Sequence, residues 1–294
     1  MIFRQILLAF RPKTLTAALV PCVAGTALVR SQGVQVNWAL FSFALLSAFC
    51  IQIATNLLND AEDFKKGADT EKRIGPTRIT QSGVLSYKQV MFLGFFVLGL
   101  AVVFGVPLVM AGGWQILLLG LVSAFLAYGY TAGPFPLAYL GLGDLFVILF
   151  FGVIATAGVA FLQQGHWTIP AVILGIQIGL HAAVLIGVNN LRDAATDTLV
   201  NKKTLAVRWG VDRYRLIVCA MIWIPFLMNL YWLKSSFWWI GLSFVTIPLA
   251  IKITRNLQTT SPGPEYNRFL GQAAGQHLLF GLFLSLGFIL SKVG

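Results

Sequence analysis

Charge is what this chain has least of. Lys, Arg, Asp and Glu make up 11% of its 294 residues, well under the share of an ordinary soluble domain, which argues against a solvated globular surface. Acidic residues are the scarcer sign, ten against 21 Lys and Arg. The three cysteines (Cys22, Cys50 and Cys219) stand alone in apolar stretches, so there is neither a disulfide framework nor a zinc spacing. The three histidines include His166 and His277, neither with a partner identifiable in sequence. Basic residues are scattered and form no separate basic block, which argues against nucleic acid as a partner. No small-residue cleavage site lies near position 30, so a removable leader is not expected.

What fills the chain instead is apolar: 57% hydrophobic residues, 29 glycines and a mean hydropathy of +0.81. A bilayer crossing needs about 20 such residues. Nine stretches qualify, at 14–32, 38–58, 90–110, 113–131, 143–163, 168–190, 214–233, 235–254 and 273–291, the first interrupted by Pro21. The expectation is an all-α integral membrane protein of about nine transmembrane helices, forming one domain over 1–294 in contact with membrane lipid. With the N-terminus in the cytoplasm, all but three of the 21 Lys and Arg (Arg30, Lys234 and Lys292) fall on the inner side, as the positive-inside rule requires. All ten Asp and Glu fall there too, which that rule does not require. The cytoplasmic membrane, with the ionic chemistry on its inner face, is the expected location.

Those acidic residues are patterned. Asn56, Asn59, Asp60 and Asp63, with Gln52 below them, recur at helical intervals where the second span reaches its inner mouth, and Asn189, Asp193 and Asp197 do so at the sixth, with His181 in line below. Polar stripes in a membrane face the bundle interior, so the two stripes are expected to border a central cavity opening to the cytoplasmic side. Asp and Asn oxygens suit Mg2+, a hard ion held by few carboxylates and by substrate phosphate. Arg78, Arg192, Lys202, Lys203 and Arg208 lie in the same loops, at 59–89 and 191–213, and would neutralise a diphosphate. Lys65, Lys66, Lys72 and Arg73 read as orientation and lipid contacts. A polyprenyl diphosphate fits such a place, its head anionic and its tail at home in lipid. Ionisation of its C1–O bond would need cations for the leaving group, a dry pocket and aromatic faces, for which Tyr128, Tyr130 and Tyr139 are candidates. A transporter is the rival, though it calls for polar residues at both mouths.

The paired motifs resemble those of the UbiA superfamily of intramembrane prenyltransferases. The family's first motif, N-D-x-x-D-x-x-x-D, reads here Asn59-Asp60-Ala61-Glu62-Asp63-Phe64-Lys65-Lys66-Gly67, with Gly67 in place of the last Asp and Asp69 two positions on; D-x-x-x-D is intact at Asp193 and Asp197. Within the family, Gly75-Pro76-Thr77-Arg78, Tyr130-Thr131-Ala132-Gly133-Pro134 with Gly141-Leu142-Gly143-Asp144, and Lys202-Lys203-Thr204-Leu205 look most like the branch acting on 1,4-dihydroxy-2-naphthoate. The resemblance implies nine helices and Mg2+-assisted transfer of a polyprenyl group to that ring, with loss of diphosphate and CO2 to give demethylmenaquinone. It implies metal binding by Asp60, Asp63, Asp193 and Asp197 with Asn56 and Asn59, and diphosphate binding by Arg78, Arg192, Lys202 and Lys203. Asn189, Tyr130 and Tyr139 would meet substrate, and Asp69 or Asp144 would orient or deprotonate the naphthoate hydroxyl. Hydroxybenzoate or homogentisate would use the same head-group site.

Overall fold

In the computed structural model the described residues are 9–67, 74–76, 78–132, 136–234 and 238–291, and they contain helices and turns without a strand. After a turn of 3-10 helix at Pro12–Thr14 come α1 (Thr16–Ser31) and α2 (Trp38–Lys65). The next helical stretch, Tyr87–Gly129, holds 43 residues, about 65 Å at 1.5 Å per residue and twice the depth of a bilayer core. It is a hairpin. Gly113 takes φ 65°, ψ −154°, a conformation closed to side chains with a Cβ, and divides the stretch into α3 (87–112) and α4 (114–129). The rings of Phe95 and Tyr128 meet at 5.7 Å. Both outer ends return to α2: the Tyr87 hydroxyl donates to Glu62 Oε1 at 2.8 Å, and the Thr131 hydroxyl donates to Asn59 Oδ1. Eight helices among the described residues are long and apolar enough to cross a membrane, and the turn at Gly113 makes nine crossings of them.

The rest of the chain continues as α5 (Gly143–Gln164), α6 (Ile169–Leu199), the short α7 (Leu205–Trp209), α8 (Val211–Lys234), α9 (Trp238–Thr259, opening as 3-10 helix) and α10 (Tyr266–Leu290). The main core joins α1, α5, α6, α8, α9 and α10 around Leu28, Leu174, Ile178, Tyr214, Phe269 and Phe280. The α3–α4 hairpin packs on α2 and turns Phe92, Met110, Trp114 and Phe125 outward. Exposed in water that belt would aggregate, and in a bilayer it is the lipid face.

Two boundaries differ from the sequence expectation, and both matter. The second and sixth crossings do not end at 58 and 190; α2 runs to Lys65 and α6 to Leu199. Nothing in 59–65 or 191–199 breaks a helix, and the extra turns carry both acidic clusters on rigid helix instead of loop. Each helix stops at a left-handed residue just past its cap, Gly67 (φ 71°) and Asn201 (φ 55°), the usual way to close a helix C-terminus.

α5 and α6 touch backbone to backbone. Residues Ile148–Ile154 of α5 widen into a π-helical turn that sits on Gly175 and Gly179, a small-xxx-small pair of the kind that lets membrane helices approach closely. A Cβ on Gly152 would stand 2.4 Å from the Gly175 carbonyl oxygen and 2.5 Å from Gly179 Cα. Neither neighbour is a side chain that could move aside. Gly152→Ala is therefore expected to destabilise the protein by about 1–3 kcal/mol, read as a lower midpoint of thermal unfolding in detergent. Gly99→Ala, where no atom lies within 4 Å of the added carbon, is expected to leave the midpoint unchanged.

Candidate active site

The ends of α2, α4 and α6 and the start of α5 converge on a polar cavity of about 690 Å³. Asn59 and Asp63 line it from α2, Asn189, Asn190, Arg192 and Asp193 from α6, and Lys202 from the segment that follows. Tyr130 and Thr131 enter from the end of α4, Asp144 from the first turn of α5. The two acidic clusters thus belong to one place.

Most of the carboxylates meet a cation. Asp63, 5% exposed, pairs with Arg78 at 2.9 Å and accepts the Tyr139 hydroxyl at 2.9 Å. Asp193 is held by its chain neighbour: Arg192 Nε and Nη2 donate to its two oxygens at 2.8 and 2.7 Å. The same guanidinium reaches across to Asn267 Oδ1 at 2.6 Å. Asp197 lies 3.5 Å from Lys202 Nζ. Charges also act between the clusters, since Asp63 feels Lys202 and Arg11, and Asp197 feels Asp193 and Asp63. Asp60 differs: its oxygens accept the backbone N–H groups of Ile79 and Thr80 at 3.2 and 3.4 Å, which pins the loop that brings Arg78 to Asp63.

The expected stripes divide because successive fours on a helix drift by about 40°. Asn56 turns away from the cavity, donating to Phe10 O and Thr14 Oγ1 at 3.2 and 3.1 Å, while Asn59 stays inside. His181 likewise faces α8, 3.0 Å from the Ile222 carbonyl oxygen. Lys203 is exposed and does not line the cavity, and Asp69 lies outside the described residues. Lys66 is drawn inward rather than to lipid: its ammonium donates to the Thr131 carbonyl oxygen and sits 4.3 Å from the Tyr139 ring centre. That face of Tyr139 is taken by a cation. Burial, and then the charge of Asp63, push the Tyr139 phenol far above its ordinary range, so it stays protonated and donates. Sequence reasoning passed over Arg11, Tyr214 and Asn267. The first counted only among the basic residues that set orientation ahead of the first span, and the other two sit in stretches with no motif of their own.

A second cavity, of about 1040 Å³, opens among α1, α2, α3, α4 and α5 and is lined by apolar and small residues such as Ala17, Ala48, Gly105, Leu108, Phe150 and Leu162. Thr55 borders it one helical turn from Asn59 of the polar cavity, and Ala127 borders it one turn from Tyr130. At the seam the Tyr130 ring lies 5.2 Å from that of Phe146, which stacks on Phe150 at 4.6 Å. An anionic head and an apolar tail of one molecule could occupy the two spaces together, with an aromatic wall between them.

A divalent cation suits the donors present. Asp197 Oδ2 is buried without a hydrogen-bond partner, which buried carboxylate oxygens rarely tolerate, and the surrounding donors are hard oxygens of the kind Mg2+ prefers. Among the described residues no three Asp, Glu, His or Cys side chains already form a metal cluster; the carboxylates are held by Arg, Lys and backbone.

Comparison with known proteins agrees with this architecture. The model of the UbiA prenyltransferase family matches residues 18–273. A 1,4-dihydroxy-2-naphthoate octaprenyltransferase of Escherichia coli is 35% identical over 94% of this chain and 94% of its own. Among solved structures, an apo UbiA homolog from Aeropyrum pernix superposes with a TM-score of 0.71 at 14% identity, covering 93% of this chain and 97% of that one. A UbiA homolog from Archaeoglobus fulgidus bound to GPP and Mg2+ superposes with a TM-score of 0.67 at 15% identity, covering 97% and 99%.

The ion pairs make a prediction about stability. Arg78→Met leaves the buried Asp63 without its main counter-charge and is expected to cost about 3–5 kcal/mol. The double change Asp63→Leu, Arg78→Met removes both charges and is expected to cost less than the single one. Unfolding midpoints in detergent test the order, and a double variant less stable than Arg78→Met would refute it.

Proposed function

The chain belongs to the UbiA prenyltransferase family, and we propose that it transfers a polyprenyl group from polyprenyl diphosphate to 1,4-dihydroxy-2-naphthoate, releasing diphosphate and CO2. The observation that carries this is the stacking of a cavity of paired charges on a larger apolar cavity, as an amphiphile with a diphosphate head requires. The acceptor follows from the 35% identity, over nearly the full length of both chains, to a relative named for that acceptor. The prenylated ring would leave at the quinol level of demethylmenaquinone.

Each resident ion pair is a partner in waiting. Arg78, Arg192 and Lys202 would turn from their carboxylates to diphosphate oxygens, the guanidinium groups as bidentate donors, with Lys203 adding attraction at the exposed edge. Asp63, Asp193 and Asp197 would then be released to hold Mg2+, with Asn59 beside them and Asp60 anchoring the loop. Mg2+ bound there would neutralise the diphosphate and stabilise charge on the departing oxygen. Asn56 supports the site from behind by fixing the turn before α1. Tyr130, with Phe146 and Phe150, would face the allylic cation, and Asn189 and Tyr139 would border the acceptor. The whole of 1–294 acts as one domain in the cytoplasmic membrane, N-terminus and polar cavity toward the cytoplasm, a placement supported by the bias of Lys and Arg.

The test uses purified protein in detergent with Mg2+, a long polyprenyl diphosphate and 1,4-dihydroxy-2-naphthoate, with the lipid-soluble product followed by mass. Turnover is expected to stop with EDTA and to fall by about 100-fold or more in Asp63→Ala, the scale on which an electrostatic contact to developing charge acts. Transfer only to hydroxybenzoate or homogentisate would overturn the acceptor and keep the reaction class. Folded protein that prenylates no aromatic acid would overturn the proposal outright.

A further inference from the structure

One carboxylate of the polar cavity stands apart from the ion pairs. Asp144 opens α5, is 3% exposed and lines the cavity. Unlike Asp63 and Asp193, it has no Lys or Arg against it among the described residues. Its Oδ1 accepts the hydroxyl of Tyr214, a fully buried side chain of α8 that in turn receives Asn190 Nδ2 at 3.4 Å. The neighbouring Gly143 has no Cβ to keep Tyr130 away; one built there would lie 2.8 Å from the Tyr130 hydroxyl oxygen. So the carboxylate is fixed by three helices, α5, α6 and α8, beside the aromatic seam where the two cavities meet. A carboxylate clamped by a guanidinium is a poor proton acceptor, and this one is clamped by a phenol instead.

Resting on the function proposed above, we infer that Asp144 is the base that removes the acceptor's ring-hydroxyl proton and later returns it, with Tyr214 as its positioning residue. As the O–H bond breaks, its electron pair feeds into the ring. The carbon bearing the carboxylate then bonds to C1 of the prenyl group, and the C1–O pair leaves on diphosphate. The product of that step is a β-keto acid. Its C–CO2 bond breaks, the pair passes to the neighbouring carbonyl oxygen and restores the aromatic ring, and protonated Asp144 gives its proton to that oxygen. No proton, electron or co-reactant is left over. A base for the first half is thereby the acid for the second.

The test compares wild type, Asp144→Asn, Asp144→Glu and Tyr214→Phe in full-length protein. The acceptors are 1,4-dihydroxy-2-naphthoate and a ring-fluorinated analogue with a more acidic hydroxyl. Asp144→Asn is expected to lower kcat by about 10²–10⁴-fold, the usual worth of general acid–base catalysis, with KM for polyprenyl diphosphate within about threefold of wild type. Its deficit relative to wild type should shrink by about tenfold or more on the acidic acceptor. Asp144→Glu should recover part of kcat, and Tyr214→Phe should show a smaller loss with the same dependence on acceptor acidity. A folded Asp144→Asn within threefold of wild type, or one equally impaired on both acceptors, overturns the inference alone. Should Asp144→Asn fail to fold, Tyr214→Phe decides by the same acidity comparison. Wild type that prenylates no hydroxy-aromatic acid overturns the function and this inference together.

Discussion

Everything in this protein defers to the cost of holding carboxylates between apolar helices. An unpaired charge there would cost several kcal/mol, and the chain pairs Asp63 with Arg78, Asp193 with Arg192 and Asp197 with Lys202, while backbone N–H groups hold Asp60 and the Tyr214 hydroxyl holds Asp144. The pairs hold the architecture as much as they hold charge. Arg78 ties the loop after α2 to α2 itself, and Arg192 ties α6 to α10 through Asn267. Under the function proposed above, a substrate that brings its own negative charge and a divalent cation would exchange partners within these pairs, so occupancy need not carry the full penalty of desolvating each ion anew.

The same frame explains the close contact of α5 and α6. Asp144 and the lower lining of the site depend on where α5 begins, and that is set by a π-helical turn seated on Gly175 and Gly179. Such turns are often found at functional sites; here the widened turn presents Gly152 to the backbone of α6 and leaves Phe146 and Phe150 facing the apolar cavity. One local irregularity serves helix packing and the aromatic wall together.

Much of this was legible in the residues. Composition set the class, nine apolar stretches matched the crossings once the turn at Gly113 is counted, and the spacing of Asn59, Asp63, Asn189 and Asp193 brought together residues that do share a cavity. What failed was fine direction. A repeat of four read as a stripe hides a drift around the helix, so Asn56 and His181 were grouped with residues they do not face. Lys66 read as a lipid contact because periodicity says nothing of a carbonyl and a ring supplied from 131 and 139. Asn267 and Tyr214 carry no local signal; their importance comes from helices far away in sequence, and only tertiary packing reveals it.

The path of the chain has a consequence for its synthesis. α2, α3 and α4 follow one another and pack on one another, contacts that can form while the rest is still on the ribosome. α1, by contrast, lies chiefly against α10 and α5, and Arg192 waits for Asn267. The first helix therefore finds one of its main neighbours only when the last is made. A nascent chain carries half a site, Asp63 with Arg78 but not Asp193 with Arg192 or Asp197 with Lys202, and the polar cavity they share exists only once α6 is in place.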